Sequence, residues 1–183
     1  MSRLAPAGAI AVVAVVSVIE LAATYASLGA APMSLVEGWG LTRPTDWVSF
    51  VLVAAGCTAL FALRRFPATA ALGTAVAYCA FIIRDYEFGM SLPVMVAIYV
   101  LSTRGHRTTA LIAALCAVAA SLVWVANRAA PAVDPGVSTL IWVAFGTVLG
   151  VFFLAPFMAG EIVRLRRAAR HLERVHGVAG SPA

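Results

Sequence analysis

The chain has 183 residues, of which 62% are hydrophobic and only 11% charged, whereas a soluble domain carries about 25% charged residues. So little charge excludes an ordinary water-soluble domain and predicts one polytopic membrane domain. The net charge is +5, with 13 arginines, no lysine and eight acids, and the placement of those arginines accounts for the basic balance better than nucleic-acid binding does.

The first apolar span is expected over Ala5 to Leu28, retained rather than cleaved as a signal peptide, with Glu20 its one ionisable residue. A charge at the centre of a span costs about 2.5–3.5 kcal/mol. Glu20 is therefore read either as a snorkelled or protonated side chain, or as a polar contact or sensing carboxyl inside a bundle. The segment Gly29 to Asp46 reads as a loop with room for a short interfacial helix, and Trp39 and Trp47 suit a membrane interface.

Spans two and three are expected over Trp47–Leu63 and Ala68–Ile83, joined by the tight turn Arg64-Arg65-Phe66-Pro67. Proline suits the first turn of a helix. Span three stops at Arg84-Asp85-Tyr86-Glu87. This group reads as a salt-bridged turn or, alternatively, as a small-ligand site made by Arg84, Asp85 and Glu87.

Span four, Gly89 to Thr103, is short, at about 22 Å. It must sit in thinned bilayer, be shielded by neighbours or borrow length from its loop. Pro93 lies near its start, where a missing amide matters least. Span five is expected over Thr108–Ala126. Span six, Ser138 to Met158, contains no charge and is followed by Glu161-to-His176, a run without Pro or Gly. In that run Ile162, Leu165, Ala169, Leu172 and His176 alternate spacings of three and four, a heptad-like seam. Pro156 marks an expected kink, and Gly146/Gly150 is a GxxxG pair suited to close helix approach, within the bundle or against a second copy.

With both termini cytoplasmic, ten arginines (3, 64, 65, 104, 107, 164, 166, 167, 170 and 174) fall inside and three (43, 84 and 128) outside. That asymmetry predicts six spans in a cell membrane with both ends cytoplasmic. The expected fold is thus all-α: a six-span bundle over 1–160, a basic cytoplasmic helix over 161–176 and a disordered tail over 177–183.

No catalytic constellation stands out, and no metal or cofactor is expected. Cys57, Cys79 and Cys116 lie in separate apolar spans and read as small buried hydrophobes. His106, His171 and His176 have no ligand spacing.

Six short spans, the segment LPVMVAIYVLSTRGHR with Pro93 and Tyr99, and a last span running into GEIVRLRRAARHLERV together resemble the amino-terminal membrane domain of actinobacterial two-component sensor histidine kinases of the nitrate-sensor-like class. The resemblance covers nearly the whole chain. It implies a sensor whose last span transmits a signal, with Pro156, Glu161, Leu165 and Leu172 as the transmitting positions. The kinase part of that family is absent after Val175, so the chain reads either as truncated or as a stand-alone relative, and as non-catalytic. The expected partners are the lipid bilayer and either a second copy or a separate membrane or cytoplasmic signalling protein, with no nucleic acid. The alternative reading is a small transporter or channel, or an accessory subunit of a membrane complex.

Overall fold

A computed structural model describes residues 6–28, 42–86, 89–129 and 134–179, with backbone alone at 6, 7, 9, 129, 171, 172 and 174–179. Among these residues there are six α-helices and no strand: α1 (Pro6–Ala26), α2 (Trp47–Ala62), α3 (Pro67–Ile83), α4 (Ser91–Thr103), α5 (Arg107–Ala129) and α6 (Pro135–Ala179). Each begins and ends within a few residues of its expected span, except that the last span and the basic helix are one element of 45 residues. The helix continues to Ala179, three residues into the tail expected to lack structure, because nothing between Glu161 and His176 breaks it. Residues 180–183, Glu87 and the loop around Trp39 lie outside the described residues.

The ends of the helices follow local chemistry. Asp46 caps α2, its carboxylate accepting from the amides of Val48 (2.9 Å) and Ser49 (3.2 Å). Pro67 opens α3 at its first position. Gly105, at φ +86°, closes α4. The amides of Gly105 and His106 return to the carbonyls of Ser102 and Leu101, a Schellman closure that only a left-handed residue permits without strain.

The expectation of six spans is met only in part. Arg107–Arg128 and Pro135–Arg170 are long and apolar enough to cross a membrane. The apolar stretches of the other four helices have 17 residues or fewer, about 26 Å or less of helix against a hydrocarbon core of about 30 Å.

The shortest helix is the centre of the molecule. α4 lies beside all five others, whereas the backbone of α6 runs beside α4 and α5, and that of α1 beside α2 and α4. α4 buries Pro93, Val94, Ala97, Ile98, Leu101 and Ser102. Around it, Tyr78 of α3 donates or accepts a 2.6 Å hydrogen bond with Ser121 of α5 and meets Phe153 of α6 edge-on at 5.3 Å. The outside of the bundle is apolar in turn: Val18, Tyr25, Val76, Ile83, Leu140 and Val143 are all exposed.

Candidate functional site

The polar side chains inside this bundle gather at the two ends of α4. At its start Met90 takes the left-handed conformation, φ +60°, at a cost on the order of 1 kcal/mol for a residue with a Cβ. Two contacts hold it there. Its side chain is buried against Gly56 of α2, and its amide donates to Glu20 Oε2 at 2.9 Å. The amide of Leu92 donates to the other oxygen, Glu20 Oε1, at 3.0 Å.

A helix leaves its first amides without intrahelical partners. At α4 Pro93 has no amide to satisfy, and Glu20 takes those of Met90 and Leu92. A carboxylate there also meets the positive end of the helix dipole. Glu20 is 5% exposed; of the readings its sequence left open, the polar contact inside the bundle describes it.

At the far end of α4 the Ser102 hydroxyl lies 3.0 Å from the Phe157 carbonyl and 3.1 Å from Glu161 Oε1. Its single proton is shared between those acceptors. Glu161 also receives Arg164 (2.8 Å) from its own helix and Arg107 (2.9 Å) from the start of α5. One carboxylate thus ties α6 to α4 and α5. Close backbone approach makes this possible: a Cβ on Gly160 would stand 2.6 Å from Ser102 Cβ and 2.9 Å from the Tyr99 carbonyl oxygen. Nearby, Arg104 donates to the Leu63 carbonyl and fastens the α2–α3 turn to this end.

A third cluster covers the opposite end, around Asp46. The Tyr86 hydroxyl donates to Asp46 Oδ1 at 2.5 Å, and with the capping amides and Arg43 it holds the Asp46 carboxyl below the usual carboxylate range. Burial raises the Tyr86 phenol, and the neighbouring carboxylate adds to the effect. The residue expected to pair within the turn, Asp85, pairs elsewhere. It sits at φ +69°, its carbonyl accepts from the Arg43 amide at 2.8 Å, and its carboxylate meets Arg128 of α5 at 2.6 Å. The positive φ turns Asp85 inward to that partner and leaves Arg84 exposed. The Arg128 guanidinium, 3% exposed, lies 5.0 Å from the Trp124 ring centre.

Other expected positions fall as follows. Pro93 is buried in the first turn of α4. Tyr99 is partly exposed and contributes its backbone to the Gly160 approach. Pro156 lies inside a continuous α6, next to the carbonyl that meets Ser102. Leu165 is exposed, and Leu172 lies outside the described side chains. Gly146 and Gly150 face open space, a Cβ on either meeting nothing within 4 Å, so they do not serve packing within the bundle.

Ser102, Arg107, Gly160 and Tyr86 were not singled out from the sequence. The adjacent Gly160-Glu161 pair, a contact glycine beside the first acid after an uncharged span, was the signal available. Among the described residues no three His, Cys, Asp or Glu side chains gather to hold a metal ion. Comparisons with protein-family models, with curated proteins and with solved structures each found no match.

Proposed function

We propose that the chain is an integral membrane signalling module with six membrane-embedded helices and both termini cytoplasmic. In this reading α6 carries a signal from the bundle to a cytoplasmic partner. The observation that carries it is the continuity of α6: 45 residues, about 68 Å of helix, lie against α4 and α5 and then leave the bundle as an arginine-rich extension. The junction is held by one buried carboxylate, Glu161, whose partners come from three helices. A stimulus that rearranges those partners changes the position of the extension, the two-state element such transfer needs.

Three further observations support the membrane reading. The exposed surface of the bundle is apolar while Glu20, Ser102, Ser121 and Arg128 are buried, the inverse of a soluble domain. Arg64, Arg65, Arg104 and Arg107 sit in the turns at one end, with Arg164 to Arg170 beyond it, and only Arg43, Arg84 and Arg128 at the other. α4, too short to span alone, packs against all five other helices. The sensor-kinase resemblance fits this role. The hydroxyls of half-buried Ser17 and of buried Thr24, Thr74 and Ser121 bond to carbonyls in their own helices, which favours a packed module over a polar conduction path.

The test has two arms. Single cysteines in place of His106 and Asp134, in a chain whose native cysteines are Ala, are labelled by membrane-impermeant reagents from opposite faces of sealed vesicles. Labelling from the same face overturns the topology. Photocrosslinkers at Arg166 and Arg170, followed by purification from native membranes, then capture a signalling protein or a second copy. Capture of stoichiometric transporter or enzyme subunits instead makes this chain an accessory subunit.

A further inference from the structure

We infer that an anionic phospholipid of the cytoplasmic leaflet seats in a lateral groove over α4, its acyl chain along one open face of that helix and its phosphate against Arg64, Arg65 and Arg104. This rests on the proposed topology.

The enclosure of α4 has one gap. The helices α2, α3, α5 and α6 follow one another side by side around the bundle, and α1 joins the row beside α2. The ends of that row, α1 and α6, both border α4, yet their backbones do not run side by side. The face of α4 left between them is Leu92, Val96, Tyr99 and Thr103, at spacings of 4, 3 and 4. It lies opposite to the face of Val94, Ala97, Ile98 and Leu101 that α4 buries. None of the four is buried, and Tyr99 is 38% exposed. At its outer end the groove is shut, because Glu20 of α1 crosses to the amides of Met90 and Leu92. Among the described residues no further hydrogen bond joins α1 to α4, and the groove opens toward the cytoplasm.

Length and charge decide the occupant. The helix from Leu92 to Thr103 measures about 17 Å, against about 15 Å for one leaflet's half of the hydrocarbon core. A partner helix crosses the whole core of about 30 Å and finds a groove along only half of its length. An acyl chain entering from the inner leaflet fills it. At the mouth, Arg104 donates to the Leu63 carbonyl and so stands between the ends of α2 and α4, and Arg64 and Arg65 follow Leu63 directly. All three arginines are exposed, and among the described residues none of them pairs with a carboxylate. Glu161, the buried acid at this end, is already taken by Arg107 and Arg164. A lipid phosphate carries the complementary charge, whereas a zwitterionic headgroup brings a cation of its own to the same arginines. Each arginine near the surface strengthens attraction to anionic lipid about fivefold. A lipid seated here touches the same helix that is tied to α1 and to α6.

The experiment uses the full chain in vesicles of phosphatidylcholine with a minor share of phosphatidylglycerol. One lipid or the other carries a photoreactive diazirine on an acyl chain, and the labelled residues are mapped by mass spectrometry. The phosphatidylglycerol probe should label Val96 and Tyr99 at least tenfold more than the phosphatidylcholine probe does. Both should label Val151, on the open outside of α6, without preference. Arg64→Gln together with Arg65→Gln leaves the Arg104 tie in place and should cut the preference at Tyr99 at least fivefold, while Arg170→Gln leaves it unchanged. Val96→Trp fills the groove and should remove labelling at Tyr99 but not at Val151. Equal labelling by both probes, a preference that survives loss of both arginines, or one lost equally in Arg170→Gln overturns the site. Loss of labelling on adding water-soluble glycerol phosphate at constant ionic strength reassigns the arginines to a free anion. A polypeptide captured by a photoreactive residue at Tyr99 makes the groove a helix-docking surface, and either result overturns the lipid. The vesicle labelling of His106→Cys and Asp134→Cys separates the failures. Correct labelling with no headgroup preference removes the lipid site alone, whereas labelling from one face removes the topology on which it rests.

Discussion

Replacing Glu20 with Ala should destabilise the bundle by several kcal/mol, and with Gln by less. Glu20 is 5% exposed and accepts from the amides of Met90 and Leu92, which have no other acceptor among the described residues. A buried donor left unpaired costs about 1–3 kcal/mol. Ala leaves two such donors, so the loss is about 2–6 kcal/mol before the relief of no longer burying a carboxylate. Gln keeps one acceptor oxygen for one amide and turns its NH2 toward the other, for a loss of about 1–3 kcal/mol. Either figure is large against a total stability of about 5–15 kcal/mol. Reversible unfolding in bicelles, followed by α-helical signal, measures both variants. Amide hydrogen exchange adds a local readout, since Met90 and Leu92 should exchange faster in the Ala variant while the middle of α5 does not. An Ala variant within about 0.5 kcal/mol of the parent, with unchanged exchange at Met90 and Leu92, would refute the capping role.

Two glycines with close neighbours should behave differently. Gly160→Ala presses its Cβ against Ser102 Cβ and the Tyr99 carbonyl oxygen, neither of which can yield, and should cost about 1–3 kcal/mol. Gly56→Ala is crowded only by the methyl end of the flexible Met90 side chain, Ala77 lying at ordinary contact distance, and should cost less than Gly160→Ala; equal losses in the same unfolding assay would contradict the contact geometry. Ser102→Ala should raise the mobility of a spin label at Leu165 by loosening α6 from α4, and an unchanged spectrum would count against that tie. At the other end, the Tyr86 hydroxyl and the capping amides hold the Asp46 carboxyl low. The stability contributed by its ionised form is therefore complete above the unfolded carboxylate value of about 3.9, and is lost as pH falls through the lower folded value. A carbon NMR titration of Asp46 should move upward in Tyr86→Phe, and an unmoved titration would assign the shift to other groups.

The helices themselves were legible because membrane-like sequences punctuate plainly. Arg64-Arg65-Phe66-Pro67 and Arg104-Gly105-His106 mark two turns without ambiguity, and an uncharged run from Ser138 to Met158 leaves no choice but a helix. What a single chain does not display is which helix lies in the middle. α4 looked like the weakest span because it is short, and length is a measure of contact with lipid. A helix enclosed by protein needs no such length. Asp85 was misread for a related reason: sequence neighbours suggested Arg84, but a left-handed residue turns the side chain away from its neighbours and toward Arg128, 43 positions on. Glu20 was noticed as an unusual charge, yet its partners are backbone amides 70 and 72 positions on, and amides carry no sequence signature.

The two buried carboxylates have complementary placements. Glu20 of α1 holds the start of α4, and Glu161 of α6 holds its end through Ser102. α4 has 13 residues, about 20 Å of helix, and its side chains are locked into every neighbour. It is therefore a short strut with one polar tie at each end, joining two helices whose backbones do not run side by side among the described residues. A strut of this kind moves as a unit, since packed interiors resist gradual deformation. In the proposed signalling role, a change in the α1 contact would displace the start of α4 and reach α6 at Gly160 and Glu161, where α4 and α6 approach closely and the arginines of α5 and α6 converge. Pro156 lies one residue from the carbonyl that Ser102 meets, so in that role the missing proline amide would let α6 bend beside the tie.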